Sequence, residues 1–284
     1  MKAGIRGLAA ATSLLIANAA MAQDVVPLAD VAHIHGVAFD ARHPGQILLA
    51  THYGLYRSEA GGLARIVSQD GSDYMGFSVD PSDPGVLLAS GHPAQGGNLG
   101  VIASNDGGIT WSQRSPGASG PVDFHAMTVS RADPATICGL FGAIQVSRDG
   151  GKTWSVAGSA PERTIDLAAS ALDANTLYAG TVAGLAASSD GGATWRMRGE
   201  QVPMTMVETA PDGRIYAFYA GVGLVSAEPD GSVWRLVNGD LGAHDFLHFA
   251  VDPDDARHMA AVTQDSLILE SSDGGTSWSP FDGT

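Results

Sequence analysis

The sequence predicts an all-β fold, a six-bladed β-propeller built from repeats of about 40–45 residues. Three observations predict it. A short box that ends in tryptophan returns four times along the chain. Successive tryptophans are 43, 41, 39 and 44 residues apart, which is the period of a four-stranded blade. Glycine and proline, 37 and 14 of the 284 residues, are frequent enough for the many turns that such a fold needs.

The repeated box reads Ser-x-Asp-Gly-Gly-x-Thr/Ser-Trp. We expect its two glycines to adopt positive φ in a turn between strands, while the aspartate accepts hydrogen bonds from nearby backbone amides. The tryptophan then buries a large flat surface at the start of the next strand. The aspartates of the four copies are Asp106, Asp149, Asp190 and Asp273, and the tryptophans are Trp111, Trp154, Trp195 and Trp278.

This box resembles the Asp-box, or bacterial neuraminidase repeat (BNR), of sialidases, xyloglucanase-type glycosidases, sortilin and photosystem assembly factors. The resemblance covers residues 30–284, with a decayed copy ending at Trp234 and a faint one at Ser58–Gly62. It implies a propeller and says almost nothing about activity, because the box lies on the rim away from the usual ligand site.

Around each box the sequence predicts the same strands. His35–Asp40 reads as a first strand, Gln46–Ala50 as a second and Gly54–Arg57 as a third. A glycine-rich insertion, His92–Asn98, lengthens the second unit. The first strands are predicted to end at Asp40, Asp80, Ser130, Ser170, Ala210 and Asp252, which gives six blades in one domain over residues 23–284. How the ring closes, with or without Val25–Leu28 as an extra strand, is left open.

The first 22 residues read as a signal peptide. Lys2 and Arg6 precede the apolar stretch Gly7–Ile16, and Ala20-Met21-Ala22 supplies a small-x-small cleavage pattern before Gln23. No later apolar run approaches the roughly 18 residues of a membrane helix. We therefore expect a bacterial periplasmic or secreted protein, cleaved between Ala22 and Gln23 and not inserted in a membrane.

The composition excludes several partners. The formal net charge is −15, and Lys2 and Lys152 are the only lysines, so neither nucleic acid nor an anionic membrane is expected as a partner. No phosphate loop or dinucleotide fingerprint occurs, which excludes a nucleotide cofactor. Cys138 is the only cysteine, so no internal disulfide forms, and its apolar surroundings predict a buried, inert thiol.

Histidines concentrate at one predicted rim, where first strands begin and second strands end. In several blades, the positions five and seven residues before the end of the first strand carry a histidine, an aspartate or a methionine. Two further histidines follow second strands. Imidazole suits zinc and copper, and Met75, Met127, Met204 and Met206 tilt the choice toward cuprous copper. The predicted ligands of a copper or zinc site are His33, His35, His52, His92, His125 and Met75, with Asp123 nearby.

Other interpretations compete with the metal site. In one, the histidines are separately hydrogen-bonded side chains around a water-filled channel, and the methionines fill the core. Sialidases carry an Arg-Ile-Pro motif that is absent here, but another glycoside hydrolase, or a glycan-binding protein, would need paired rim carboxylates, for which Asp73, Asp123 and Asp245 are the candidates. A third reading is a scaffold for protein assembly. The box aspartates are explained by their turn rather than by calcium.

Overall fold

The structure is a computed structural model that describes residues 24–68, 70–241 and 244–283. The predicted signal peptide and its cleavage point lie outside these residues. Six antiparallel sheets of four or five strands form a ring around a central channel, so the predicted six-bladed all-β propeller is confirmed. No helix in the described part is long and apolar enough to cross a membrane.

Each blade follows the chain in order, and a 3-10 turn (Leu28–Asp30) follows the first strand. The strands of blade 1 are β1 (Val25–Pro27), β2 (Ile34–Phe39), β3 (Ile47–Thr51), β4 (Gly54–Glu59) and β5 (Leu63–Ile66). Those of blade 2 are β6 (Asp73–Val79), β7 (Leu87–His92), β8 (Val101–Ser104) and β9 (Ser112–Ser115). Those of blade 3 are β10 (Ala126–Val129), β11 (Ile137–Phe141), β12 (Ala143–Ser147) and β13 (Ser155–Gly158).

The second half of the ring repeats this plan. Blade 4 contains β14 (Thr164–Ala169), β15 (Leu177–Thr181), β16 (Gly184–Ser188) and β17 (Arg196–Arg198). Blade 5 contains β18 (Met204–Thr209), β19 (Ile215–Tyr219), β20 (Gly223–Ala227) and β21 (Trp234–Asn238). Blade 6 contains β22 (Phe246–Val251), β23 (Met259–Thr263), β24 (Ile268–Ser271) and β25 (Ser279–Pro280). Every first strand ends one residue before the position predicted from the sequence.

The ring closes by packing of side chains. β1 pairs with β5 at one edge of blade 1, and blade 6 is completed by its own four strands, so the extra strand is present but is not shared between blades. A core cluster joins Leu28, Val31 and Phe39 to Val262 and Phe281. The five other core clusters likewise lie between neighbouring blades. Stability therefore comes from six apolar interfaces.

The Asp-box has the geometry that its sequence predicts. In the second copy, Asp149 Oδ1 accepts the backbone N–H of Thr153 at 2.9 Å, and its Oδ2 accepts the Thr153 hydroxyl at 2.7 Å. Trp154 Nε1 donates to Gly151 O at 3.1 Å. These bonds stabilise the charged carboxylate, and the corresponding bonds from Thr194 lower the pKa of Asp190 to about 2. The aspartate of the box thus stabilises the turn through these hydrogen bonds, which explain its presence without calcium.

The channel encloses a cavity of about 510 Å³. Its wall is formed by the first strands of the blades. In blades 1, 4, 5 and 6 the pairing register shifts near the start of the first strand. The unpaired residue there lines the cavity, and these residues are His35, Ile165, Thr205 and Leu247. This repeated bulge fixes which residue of each blade reaches the channel.

Candidate metal centre

His52 is held at the tip of a hairpin between β3 and β4. The Thr51 hydroxyl donates to Gly54 O at 2.8 Å and accepts the Tyr53 N–H at 3.0 Å, which fixes the turn. Blade 4 builds the same turn with Thr181 and places Val182 at the position of His52. The hairpin therefore does not need an imidazole at its tip.

His35 occupies the bulge of β2, where blade 4 places Ile165. Two residues earlier, His33 adopts a φ of 53°, and Arg163 of blade 4 adopts a φ of 56° at the equivalent position. The carbonyl of each accepts the N–H of the residue after its second strand, His52 or Val182. The positive φ at His33 is thus part of the blade geometry, although strained residues often mark functional sites.

The first group of donors consists of His35, His52 and Asp73. One ligand atom from each lies within 4.8 Å of the others. His52 Nδ1 contacts Asp73 Oδ2 at 2.6 Å, and the His35 and His52 rings lie 4.4 Å apart between centroids. Two residues come from blade 1, and Asp73 begins the first strand of blade 2. The group therefore spans the interface between these blades.

The second group consists of His92, Asp123 and His125, which also lie within 4.8 Å of one another. Asp123 Oδ2 is 3.0 Å from His92 Nε2 and 2.8 Å from His125 Nε2. His92 comes from the end of the second strand of blade 2, and the other two precede the first strand of blade 3. This group spans the next interface around the ring.

Three polar atoms of the two groups are buried without a hydrogen-bond partner in the described structure, namely His35 Nε2, Asp73 Oδ1 and Asp123 Oδ1. His35 Nε2 and Asp73 Oδ1 are 3.9 Å apart, too far for a hydrogen bond. Burial lowers the pKa of His35, the charge on His52 adds to this effect, and the charge on Asp73 opposes it. The lowered pKa favours the neutral imidazole, in which one ring nitrogen keeps its lone pair.

The remaining predicted site residues belong to neither donor group. His33 touches the first group by ring contact with His52, at 5.2 Å between centroids. Met75 is 7% exposed, and Gly76 lines the cavity beside it. Asp245 belongs to neither group, and the adjacent His244 pairs with Asp265 at 3.3 Å. Their proposed roles as ligands or catalytic groups stay predictions.

Sequence reasoning placed His248 at the rim but missed Asp166 and Glu208 inside the channel. Burial raises the pKa of Asp166 to about 6 and that of Glu208 to about 7, and Arg131 partly offsets the latter. Burial also lowers the pKa of His248 to about 4. All four line the cavity. Asp166 and Glu208 sit within runs that alternate as ordinary strands, so only the position of the channel reveals them.

Comparisons with known proteins bear on the fold. Residues 145–156 match the family described as the BNR/Asp-box repeat. No curated protein sequence matches the chain. Many solved structures do match in fold, all those described below at sequence identities too low to indicate function.

Three solved structures illustrate the likeness. A GH74 xyloglucanase from Xanthomonas campestris is 19% identical, with a TM-score of 0.58 over 87% of this chain and 45% of that one. YCF48 bound to D1 peptide is 21% identical, with a TM-score of 0.57 over 90% and 83% of the two chains. A gluconolactonase from X. campestris is 14% identical, with a TM-score of 0.63 over 87% and 89%.

The chain spans less than half the length of that xyloglucanase. The likeness therefore concerns the propeller and its boxes. Four complete Asp-boxes, one of them within the matched residues, six blades in a ring and these structural neighbours agree. The chain is a six-bladed β-propeller that carries the BNR/Asp-box repeat at residues 145–156.

Proposed function

We propose that the protein binds a divalent transition-metal ion, zinc or copper, at the mouth of the central channel through His35, His52 and Asp73. The observation that carries this proposal is the pair His35 Nε2 and Asp73 Oδ1, both buried without a hydrogen-bond partner and 3.9 Å apart. Leaving such atoms unsatisfied costs about 1–3 kcal/mol each. A shared cation removes this cost.

The distance between His35 Nε2 and Asp73 Oδ1 suits a tetrahedral ion. Zinc–nitrogen and zinc–oxygen bonds of about 2.0–2.2 Å place two ligand atoms about 3.3–3.5 Å apart, so a closure of about 0.5 Å brings this pair to that separation. Asp73 Oδ2 meanwhile accepts a hydrogen bond from His52 Nδ1, which leaves the lone pair of His52 on Nε2. One carboxylate thus offers a ligand oxygen and fixes the tautomer of its neighbour.

The donor set favours a divalent ion. Two imidazoles and a carboxylate suit zinc or cupric copper, whereas cuprous copper prefers thioethers. The four rim methionines are buried, with Met204 and Met206 no more than 1% exposed. The side chain of His52 is 41% exposed, so the ion exchanges with solvent rather than being enclosed.

Blade 4 supplies an argument that the imidazoles are not structural. It folds the same bulge and hairpin with Ile165 and Val182 in place of His35 and His52. Neither position therefore requires a polar side chain for folding. The histidines add polar groups whose burial is unfavourable without a partner.

The test is metal analysis of the purified protein after dialysis against metal-free buffer. We expect bound zinc or copper in the wild type and one ion fewer per chain in Asp73→Asn. His244→Ala is the matched control, since His244 is a half-exposed imidazole beside a carboxylate outside both groups. A wild-type protein that binds neither ion, or a loss in the control equal to that in Asp73→Asn, overturns the proposal.

The proposal includes export to the periplasm or the exterior. Its support is the predicted signal peptide of residues 1–22, with its basic start, apolar centre and Ala-x-Ala pattern. Mass spectrometry of the chain recovered from the periplasm or medium should give an N-terminus at Gln23. Recovery of the uncleaved chain in the cytoplasm alone contradicts export.

A glycoside hydrolase is the second candidate, and the cavity favours it. A general acid requires a carboxyl group that stays protonated near neutral pH, and Glu208 lines a 510 Å³ cavity with its pKa raised by burial to about 7. Turnover of chromogenic glycosides, lost in Glu208→Gln, supports this activity, and inactivity across a broad panel contradicts it. Assembly of other proteins stays a prediction.

A further inference from the structure

The second donor group has a hydrogen-bond pattern that calls for a cation. His92 Nδ1 lies 2.7 Å from Gly97 O, and a carbonyl only accepts, so Nδ1 carries the proton. The bond to Gly97 O and the charge on Asp123 raise the pKa of His92. Its Nε2, 3.0 Å from Asp123 Oδ2, therefore either carries a second proton or directs its lone pair at a metal ion.

His125 contacts the same oxygen of Asp123. Its Nε2 lies 2.8 Å from Asp123 Oδ2, while Asp123 Oδ1 is buried without a hydrogen-bond partner. One carboxylate therefore has two imidazole nitrogens at one oxygen and no partner at the other. An ion between Asp123 and the two imidazoles would use these donors together.

The two groups repeat one arrangement around the ring. In each, a histidine at the end of a second strand meets an aspartate near the start of the next blade's first strand, as His52 meets Asp73 and His92 meets Asp123. A second imidazole, His35 or His125, lies beside each aspartate. Both of these line the same cavity. Because the two groups share this arrangement, the second group can bind an ion in the same way as the first.

Gly76 of blade 2 has no side chain and lines the same cavity as His35 of blade 1 and His125 of blade 3. A Cβ at Gly76 would come within 2.4 Å of Phe124 O, so blade 3 packs closely against blade 2 at this level.

We propose that His92, Asp123 and His125 hold a second divalent ion, so that the channel mouth is a two-ion centre spanning blades 1 to 3. The inference rests on the proposed function and deepens it, because the sequence predicted a single site with all the histidines in common. Each ion has three protein ligands and keeps a position open to solvent.

The experiment is titration of the chelator-stripped full chain with Zn²⁺ alone, followed by calorimetry and by metal analysis after gel filtration. We expect two ions per chain in the wild type and one in Asp123→Asn. His125→Ala is the second variant, because its side chain is 65% exposed and its truncation leaves the fold intact. Asp73→Asn should also retain one ion, and the double variant Asp73→Asn/Asp123→Asn none.

The outcomes separate this inference from the proposed function. One ion per wild-type chain, lost in Asp73→Asn but kept in Asp123→Asn and His125→Ala, overturns the second site and leaves the first. One ion lost only in Asp123→Asn shows a single ion at the second group, which overturns both the two-ion centre and the proposed ligands. No bound ion overturns both proposals. Circular dichroism melting of each variant confirms that it is folded.

Discussion

Gly76 and Phe124 are in such close contact that a Cβ on Gly76 would lie 2.4 Å from the Phe124 carbonyl oxygen. Gly76 also has a φ of +53°, which disfavours any other residue. Gly76 belongs to β6, the first strand of blade 2, which begins with Asp73. Phe124 lies between Asp123 and His125 of the second donor group, so the contact joins the chain segments that carry the two aspartates.

Gly76→Ala should lower the free energy of unfolding by about 2–4 kcal/mol, because the positive φ and the steric overlap both disfavour alanine. Gly61→Ala is the control, since Gly61 has a φ of +79° but no atom within 4 Å of an added Cβ. It should lose about 1 kcal/mol. Urea unfolding measures both, and equal losses would contradict the role of the Phe124 contact.

Zinc should stabilise the wild-type protein. At a free concentration 100 times the Kd, binding to the native state adds about 2.7 kcal/mol, which corresponds to a rise in Tm of roughly 5–10 °C for a domain of this size. The double variant His35→Ile/His52→Val carries the residues that blade 4 uses at these positions. It should melt near the metal-free wild type yet gain less from zinc, and an equal gain would contradict the proposed ligands.

Stability should depend on pH through Glu208. Its carboxyl has an ordinary pKa of 4.5 that burial raises to about 7 in the folded protein. Between these values the native state holds a proton that the unfolded chain has released, so the free energy of unfolding decreases as pH rises from 4.5 to 7. The penalty is absent below pH 4.5 and complete above pH 7.

Glu208→Gln removes this penalty, so the variant should be more stable than the wild type by about 2 kcal/mol at pH 8 and by little at pH 4.5. Chemical denaturation at the two pH values measures the difference. A difference independent of pH would show that Glu208 titrates normally in the folded protein.

The Asp-box predicts a further stability effect. Asp190→Ala removes bonds to the Ser188 hydroxyl and to both the amide and the hydroxyl of Thr194, so it should lower the Tm. Asp230→Ala, in the decayed copy of blade 5, removes bonds to Ser232 and should have a smaller effect. Differential scanning calorimetry compares the two variants, and a larger fall in Tm for Asp230→Ala would contradict this role of the box aspartate.

Much of the fold could be predicted because the same short sequence motif recurs from blade to blade. The Asp-Gly-Gly turn and the tryptophan recur at one spacing, so first strands could be placed to within a residue of β2 and β22. The decayed copy shows what the box contributes, since Trp234 Nε1 is buried without a hydrogen-bond partner in the described structure, whereas Trp195 Nε1 donates to Gly192.

The site could be predicted only in part. Strand direction brought His35, His52 and His125 to one rim, but the register shifts that aim particular residues into the channel are not visible in the sequence. The sequence offered Asp73 and Asp123 as candidate catalytic carboxylates, and Asp123 also as a supplementary metal ligand; the structure places each among imidazoles. Their division into two groups follows side-chain geometry at two blade interfaces, which the sequence does not show.

The measurement that tests the central claim most directly is anomalous X-ray diffraction from crystals soaked in Zn²⁺, with data at the zinc edge. The account predicts a peak about 2.0–2.2 Å from His35 Nε2 and Asp73 Oδ1 at the channel mouth. A map with strong anomalous density elsewhere and none between these two atoms would contradict it.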